Sequence, residues 1–133
     1  MTDSRKSLSG NDRGKQLSDV LADLVRRLTD DKGQAQILCP IGNQLFIVAS
    51  TRAGEVGEAV LIDDSVSGEV FKWQESKIIG DVREVRHYKN FLGGEMRSEI
   101  AVPLPSAWGV INVESPKKNA FTEEQIAVLK ERA

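Results

Sequence analysis

The chain has 133 residues, with 18 basic and 20 acidic side chains, a formal net charge of −2 and 40% hydrophobic residues. This suits one domain with a real core, is too balanced in charge for an electrostatic footprint on nucleic acid or an anionic membrane, and includes no stretch near the roughly 20 apolar residues of a membrane span. A single cysteine, Cys39, allows neither an intramolecular disulfide nor a thiolate metal cluster, and the first residues lack the apolar core of a secretory signal, so a cytoplasmic protein is expected.

Residues 1–14 are polar and read as a flexible tail before a single domain over 15–133. In "KQLSDVLADLVRRLTDD" the residues Leu17, Val20, Leu21, Leu24, Val25 and Leu28 recur at three- and four-residue intervals, one face of a helix over 15–30. That face either packs on the chain's own sheet or meets a second copy; the pattern fits both. Gly33 is a plausible stop.

Strands follow. "QAQILCP" and "NQLFIVAST" flank the turn "IGN", where Gly42 and Asn43 tolerate left-handed backbone. A third short strand covers 59–62, after the glycine-containing loop "RAGEVGE". "DDSVSGEVFKWQES" reads as a short helix capped by Asp64 or Ser65, with Val66, Val70, Phe71 and Trp73 on its buried side. "KII" is a fourth strand, and "DVREVRHYKNFLGGEM" an irregular or partly helical connection. His87, the only histidine, sits there; with one His and one Cys no metal constellation is expected.

"RSEIAVPLPSAWGVINVES" gives two more strands, about 98–104 and 108–114, joined by "PSAWG". Trp108, like Trp73, is expected to pack in the core or at an edge. Three polar residues, Glu99, Asn112 and Glu114, interrupt these apolar runs. They either line a pocket, or face water or serve structural hydrogen bonds. If both carboxylates are buried together, like charge raises a pKa, and an amine-bearing ligand relieves it. Finally, Thr122 and Gln125 form a capping box and Phe121 and Ile126 a hydrophobic staple, starting a helix expected to run on past Ala133.

This order, with "SGEVFKWQESKIIGDVRE" (67–84), "SEIAVPL" (98–104) and "GVINVESPKKNAFTEEQIAVL" (109–129), resembles a GAF domain over roughly 15–133. The resemblance implies an α+β, GAF/PAS-like fold with a central antiparallel sheet of about six strands and flanking N- and C-terminal helices. It also implies a small-molecule pocket on the opposite sheet face and a sensory role beside an effector domain. Many such domains form homodimers through their first and last helices, which makes Leu17, Leu21, Leu24, Leu28, Ile126 and Leu129 the candidate interface. Cysteine-linked bilin is not expected, since residues 60–115 contain no cysteine. The cyclic-nucleotide pattern keeps only Phe121.

The polar frame resembles that of free methionine-R-sulfoxide reductases. Glu99 aligns with a Glu of that pattern, and Asn112 and Glu114 with two acids, but the catalytic cysteines are absent. The thiolate is the nucleophile such chemistry needs. A non-catalytic sensory domain with an unidentified ligand is therefore expected; the alternatives are a ligandless dimerisation module of a signalling protein and a divergent methionine sulfoxide reductase-like enzyme. Its candidate ligand residues are Glu99, Asn112, Glu114, Asp81, Tyr88, Met96 and Ser98. Neither nucleic acid nor membrane is an expected partner.

Overall fold

Leu21, Leu24, Val25 and Leu28 of the first helix's apolar stripe are buried inside the chain, while Val20 is left exposed. The computed structural model describes residues 10–29, 32–84 and 96–132. Helix α1 (Gly10–Leu28) is followed by β1 (Gln34–Ile41), β2 (Gln44–Ser50), β3 (Ala59–Leu61), α2 (Val66–Trp73), β4 (Lys77–Ile79), β5 (Ser98–Pro103), β6 (Val110–Ser115) and α3 (Glu123–Arg132). The strands form one six-stranded sheet in the order β3-β2-β1-β6-β5-β4, and every neighbouring pair is antiparallel.

Each sheet face has its own cover. Alternation sends Ala35 of β1, Ile100 and Val102 of β5, and Ile111 and Val113 of β6 to one side. There they pack with Leu21, Leu24, Val25 and Leu28 of α1, and with Phe121 and Leu129 beside and within α3. Leu38, Leu45, Ile47, Ala101 and Val110 face the other way, clustered with Val60 of β3 and Val70 of α2. Of the candidate dimer residues, Leu21, Leu24, Leu28 and Leu129 are therefore buried within the chain, with Ile126 packed against them. The helix packs on its own sheet, and these side chains are not left exposed for a second copy. No side-chain environment is described for Leu17.

Several expectations hold locally. Gln125 Oε1 accepts from the Thr122 amide at 2.8 Å, the reciprocal half of the capping box. The Gln125 amide also donates to the Leu28 carbonyl at 3.2 Å, tying the start of α3 to the last turn of α1. Gly42 takes φ 62° in the tight β1–β2 turn.

Others are corrected. Helix α1 begins at Gly10, inside the stretch read as a tail. Trp73 and Trp108, expected to pack, are 67% and 71% exposed. Helix α2 is only eight residues long and its buried side ends near Val70; Gln74 then turns left-handed at φ 54°. Trp108 sits on the β5–β6 turn, after Ser106 and Ala107 at φ 57°, where the chain projects from the sheet.

Ser65 caps α2, its Oγ accepting from the Gly68 amide at 2.9 Å. Gly68 allows α2 to touch the preceding 3-10 turn: a Cβ there would lie 1.9 Å from the Ile62 carbonyl oxygen. That atom is backbone and cannot swing aside. Gly68→Ala is therefore expected to destabilise the fold by about 1–3 kcal/mol, in the range of overpacked cores, as read by chemical denaturation. Wild-type stability in that variant would show that α2 shifts freely.

Candidate functional site

On the face covered by α2, the sheet changes from apolar to polar along its length. Gln34 pairs with Glu114, and Glu114 with Glu99, so three strands place these side chains in one row. Gln36 pairs with Asn112, and Asn112 with Ala101, in the next row. Alternation keeps both rows on one face, and the apolar Leu38–Val110 pair continues it. Ser50 opposes Gln36, while Leu38 opposes Ile47, because a bulge at Val48 puts an extra residue in β2. The bulge brings Ser50 to the same face as Ile47, although the two are three residues apart.

All of these polar side chains are buried, Glu99, Asn112 and Glu114 to 4% exposure each. Two covering elements reach down to them. From α2, Ser67 Oγ accepts from Asn112 Nδ2 at 2.8 Å. From the 3-10 turn Ala53–Glu55 comes Glu55, which is fully buried. Its Oε2 accepts from Gln36 Nε2 and, at 3.1 Å, from Ser50 Oγ. Glu114 Oε1 accepts from Gln34 Nε2 at 3.1 Å.

What remains is a surplus of acceptors. Gln34 Oε1, Glu55 Oε1, Glu99 Oε2 and Asn112 Oδ1 are buried without a hydrogen-bond partner among the described residues. Buried polar atoms are rarely left so, because each costs about 1–3 kcal/mol. Glu99 shows the electrostatic side of this. Burial pushes its carboxyl well above the ordinary glutamate range, and the charge of Glu114 directly across the ladder adds to the rise. Among the described residues the layer therefore holds more buried acceptors than donors to meet them.

The other expected site residues scatter. Ser98 is adjacent in sequence to Glu99 and so faces the α1/α3 side. Its Oγ donates to the Lys117 carbonyl at 2.5 Å and accepts from the Ala120 amide at 3.3 Å, anchoring the approach to α3. Met96 is buried just before β5. Asp81 follows β4; partial burial raises its carboxyl, but the Arg83 amide and guanidinium, with Arg97, outweigh that and hold it low. Arg97 and Lys118 each lie 3.6 Å from Asp81 Oδ2, so its charge is already shared among cations. Tyr88 lies outside the described residues.

Among the described residues no group of three or more His, Cys, Asp or Glu could hold a metal ion, and no helix is long and apolar enough to cross a membrane. Cys39 follows Leu38, which packs on the α2 face, so alternation turns its thiol to the other face. Burial pushes that thiol up, away from the reactive thiolate. Sequence reasoning missed Gln34, Gln36, Glu55 and Ser67. The period-two spacing of "QAQ" in a strand was the available signal for the two glutamines.

No protein-family model matches the sequence, and no curated protein matches it. Solved structures do. The type II free methionine-R-sulfoxide reductase from Thermoplasma acidophilum superposes with a TM-score of 0.74 at 20% identity, over 92% of this chain and 88% of that one. The GAF domain of a phosphoenolpyruvate-protein phosphotransferase from Coxiella burnetii gives 0.70 at 18%, over 87% and 77%. The free methionine-R-sulfoxide reductase from Neisseria meningitidis, in complex with its substrate, gives 0.65 at 18%, over 98% and 87%. The chain has the GAF fold, which those neighbours use both as a domain of a phosphotransferase and as free methionine-R-sulfoxide reductases.

Proposed function

We propose that this chain is a non-catalytic GAF sensory domain that binds a small amine-bearing molecule against Glu99 and Glu114. The observation that carries this reading is the buried carboxylate pair, directly opposed across β5 and β6, with Glu99 Oε2 unpartnered among the described residues. A cationic nitrogen supplies the missing donor and relieves the like-charge repulsion. The one cysteine of the sequence, on the opposite sheet face and with a raised pKa, supports binding without thiol chemistry.

The route outward is short. Helices α1 and α3 rest on the other side of β1, β5 and β6, the strands that carry the polar layer. Ligand binding transmits a signal only if it favours one arrangement of these helices. An effector domain attached to either helix would read that arrangement.

A thermal-shift panel of amines, amino acids and nucleotides tests the reading. Amine-bearing compounds are expected to raise the melting temperature, with stabilisation near 2.7 kcal/mol at a hundredfold excess over Kd. The shift is expected to be lost in Glu99→Gln. A panel with no amine among its hits would overturn the proposal.

A further inference from the structure

Glu55 has no part in the like-charge pair, yet it is the most deeply buried acid among the described residues, at 0% exposure. It reaches the polar layer from a loop, not from the sheet. Both of its donors, Gln36 and Ser50, converge on Oε2, while Oε1 is buried without a partner among the described residues. Turning the side chain over only exchanges the two oxygens and again leaves one of them without a donor among the described residues. Next to it, across the Gln36–Asn112 pair, lies a second buried acceptor without a partner, Asn112 Oδ1. A loop anchor needs one carboxylate oxygen, and the Gln36 and Ser50 bonds already supply it. A second, unpaired oxygen beside another unpaired acceptor is the signature of an external donor.

The position matters. Glu99 and Gln36 lie two strands apart and two residues apart along the ladder, which at strand spacings of about 4.8 Å and about 3.3 Å per residue puts them roughly 12 Å apart at the backbone. Acceptors at both ends of that line, with Asn112 between them, suit a ligand whose nitrogens are similarly separated. An extended six-carbon diamine spans about 9 Å between its nitrogens, so with a hydrogen bond of about 2.9 Å at each end it reaches about 15 Å, enough to cover this separation with a bend in its chain.

Resting on the amine reading above, we propose that Glu55 is a second ligand-binding carboxylate, and that the molecule bound is an elongated cation with a nitrogen at each end, one held at Glu99 and Glu114 and the other at Glu55 and Asn112.

Calorimetric titration of the full chain with hexylamine and with hexamethylenediamine tests this. The diamine is expected to bind at least about tenfold more tightly, the contribution of one further charge-assisted hydrogen bond. Glu55→Gln is expected to remove that advantage, its loss in diamine affinity clearly exceeding any loss in hexylamine affinity, whereas Glu99→Gln weakens both probes. Glu55→Asp keeps the charge but withdraws it by one methylene, so its preference is expected to move toward octamethylenediamine; a merely structural role for Glu55 would not move that length preference. Equal affinity of the two probes for wild type, or a diamine advantage and length preference untouched in Glu55→Asp, overturns the inference and leaves the amine site standing. Failure of both amines to bind wild type overturns the site itself. If Glu55→Gln does not fold, the wild-type comparison and Glu55→Asp still decide.

Discussion

Leu21→Ala and Leu129→Ala are each expected to cost about 2–5 kcal/mol, the range for emptying a fully buried leucine site. Both side chains are at 0% exposure, one on α1 and one on α3, and they share a cluster with Ile100, Val102, Ile111 and Val113. The surrounding strands are central to the sheet and cannot close the gap by moving outward. The loss should appear in chemical denaturation as a lower midpoint with an unchanged slope. It should also be the same at low and high protein concentration, because the contacts are made within one chain. A destabilisation that disappears as protein concentration rises would instead place this stripe between two copies.

The fold was legible where local chemistry and periodicity agree. The stripe on α1 gave the helix, though not which partner it buries against, because a helix face carries the same apolar spacing toward a sheet as toward a second chain. The capping box at Thr122 and Gln125 placed α3 to within a residue, since cap geometry is set by neighbours in sequence. Strand alternation exposed Glu99, Asn112 and Glu114 as interruptions, and pairing across β1, β6 and β5 gathers them into one buried layer.

The same rule counts against Ser98 as a companion of Glu99: adjacent strand residues face opposite sides. Ser98 therefore spends its hydroxyl on the loop before α3. Glu55 was out of reach for a different reason. Its place depends on a three-residue turn folding back over β1 and β2, and on a bulge at Val48 that carries Ser50 round to meet it. Neither leaves a periodic trace. Trp73 and Trp108 misled because aromatic bulk usually packs, whereas here one ends an eight-residue helix and the other tops a turn.

Without ligand, the wild-type protein is expected to lose stability as pH rises from about 4.5, the ordinary glutamate value, and Glu99→Gln is expected to remove much of that loss. The sign follows from proton uptake. Glu99 is raised in the folded state, first by burial and then by Glu114, so above 4.5 the folded chain holds a proton that the unfolded chain has released. Stability then falls with increasing pH until the folded-state carboxyl has ionised as well, and is flat beyond. Glutamine keeps the shape and cannot ionise, so the variant should melt a few degrees above wild type at neutral pH, where one kcal/mol corresponds to roughly 2–8 °C. The two should converge toward acid.

An amine probe should act in the opposite sense. It binds the ionised pair, so its stabilisation of wild type should grow across the same pH window in which the ligand-free protein weakens. In Glu99→Gln that growth should be largely absent. Thermal melts of both proteins over a pH series, with and without hexylamine, read all of these slopes at once. Parallel curves for wild type and variant would mean that Glu99 is already compensated in the folded chain, and the case for a cation at this pair would fall with it.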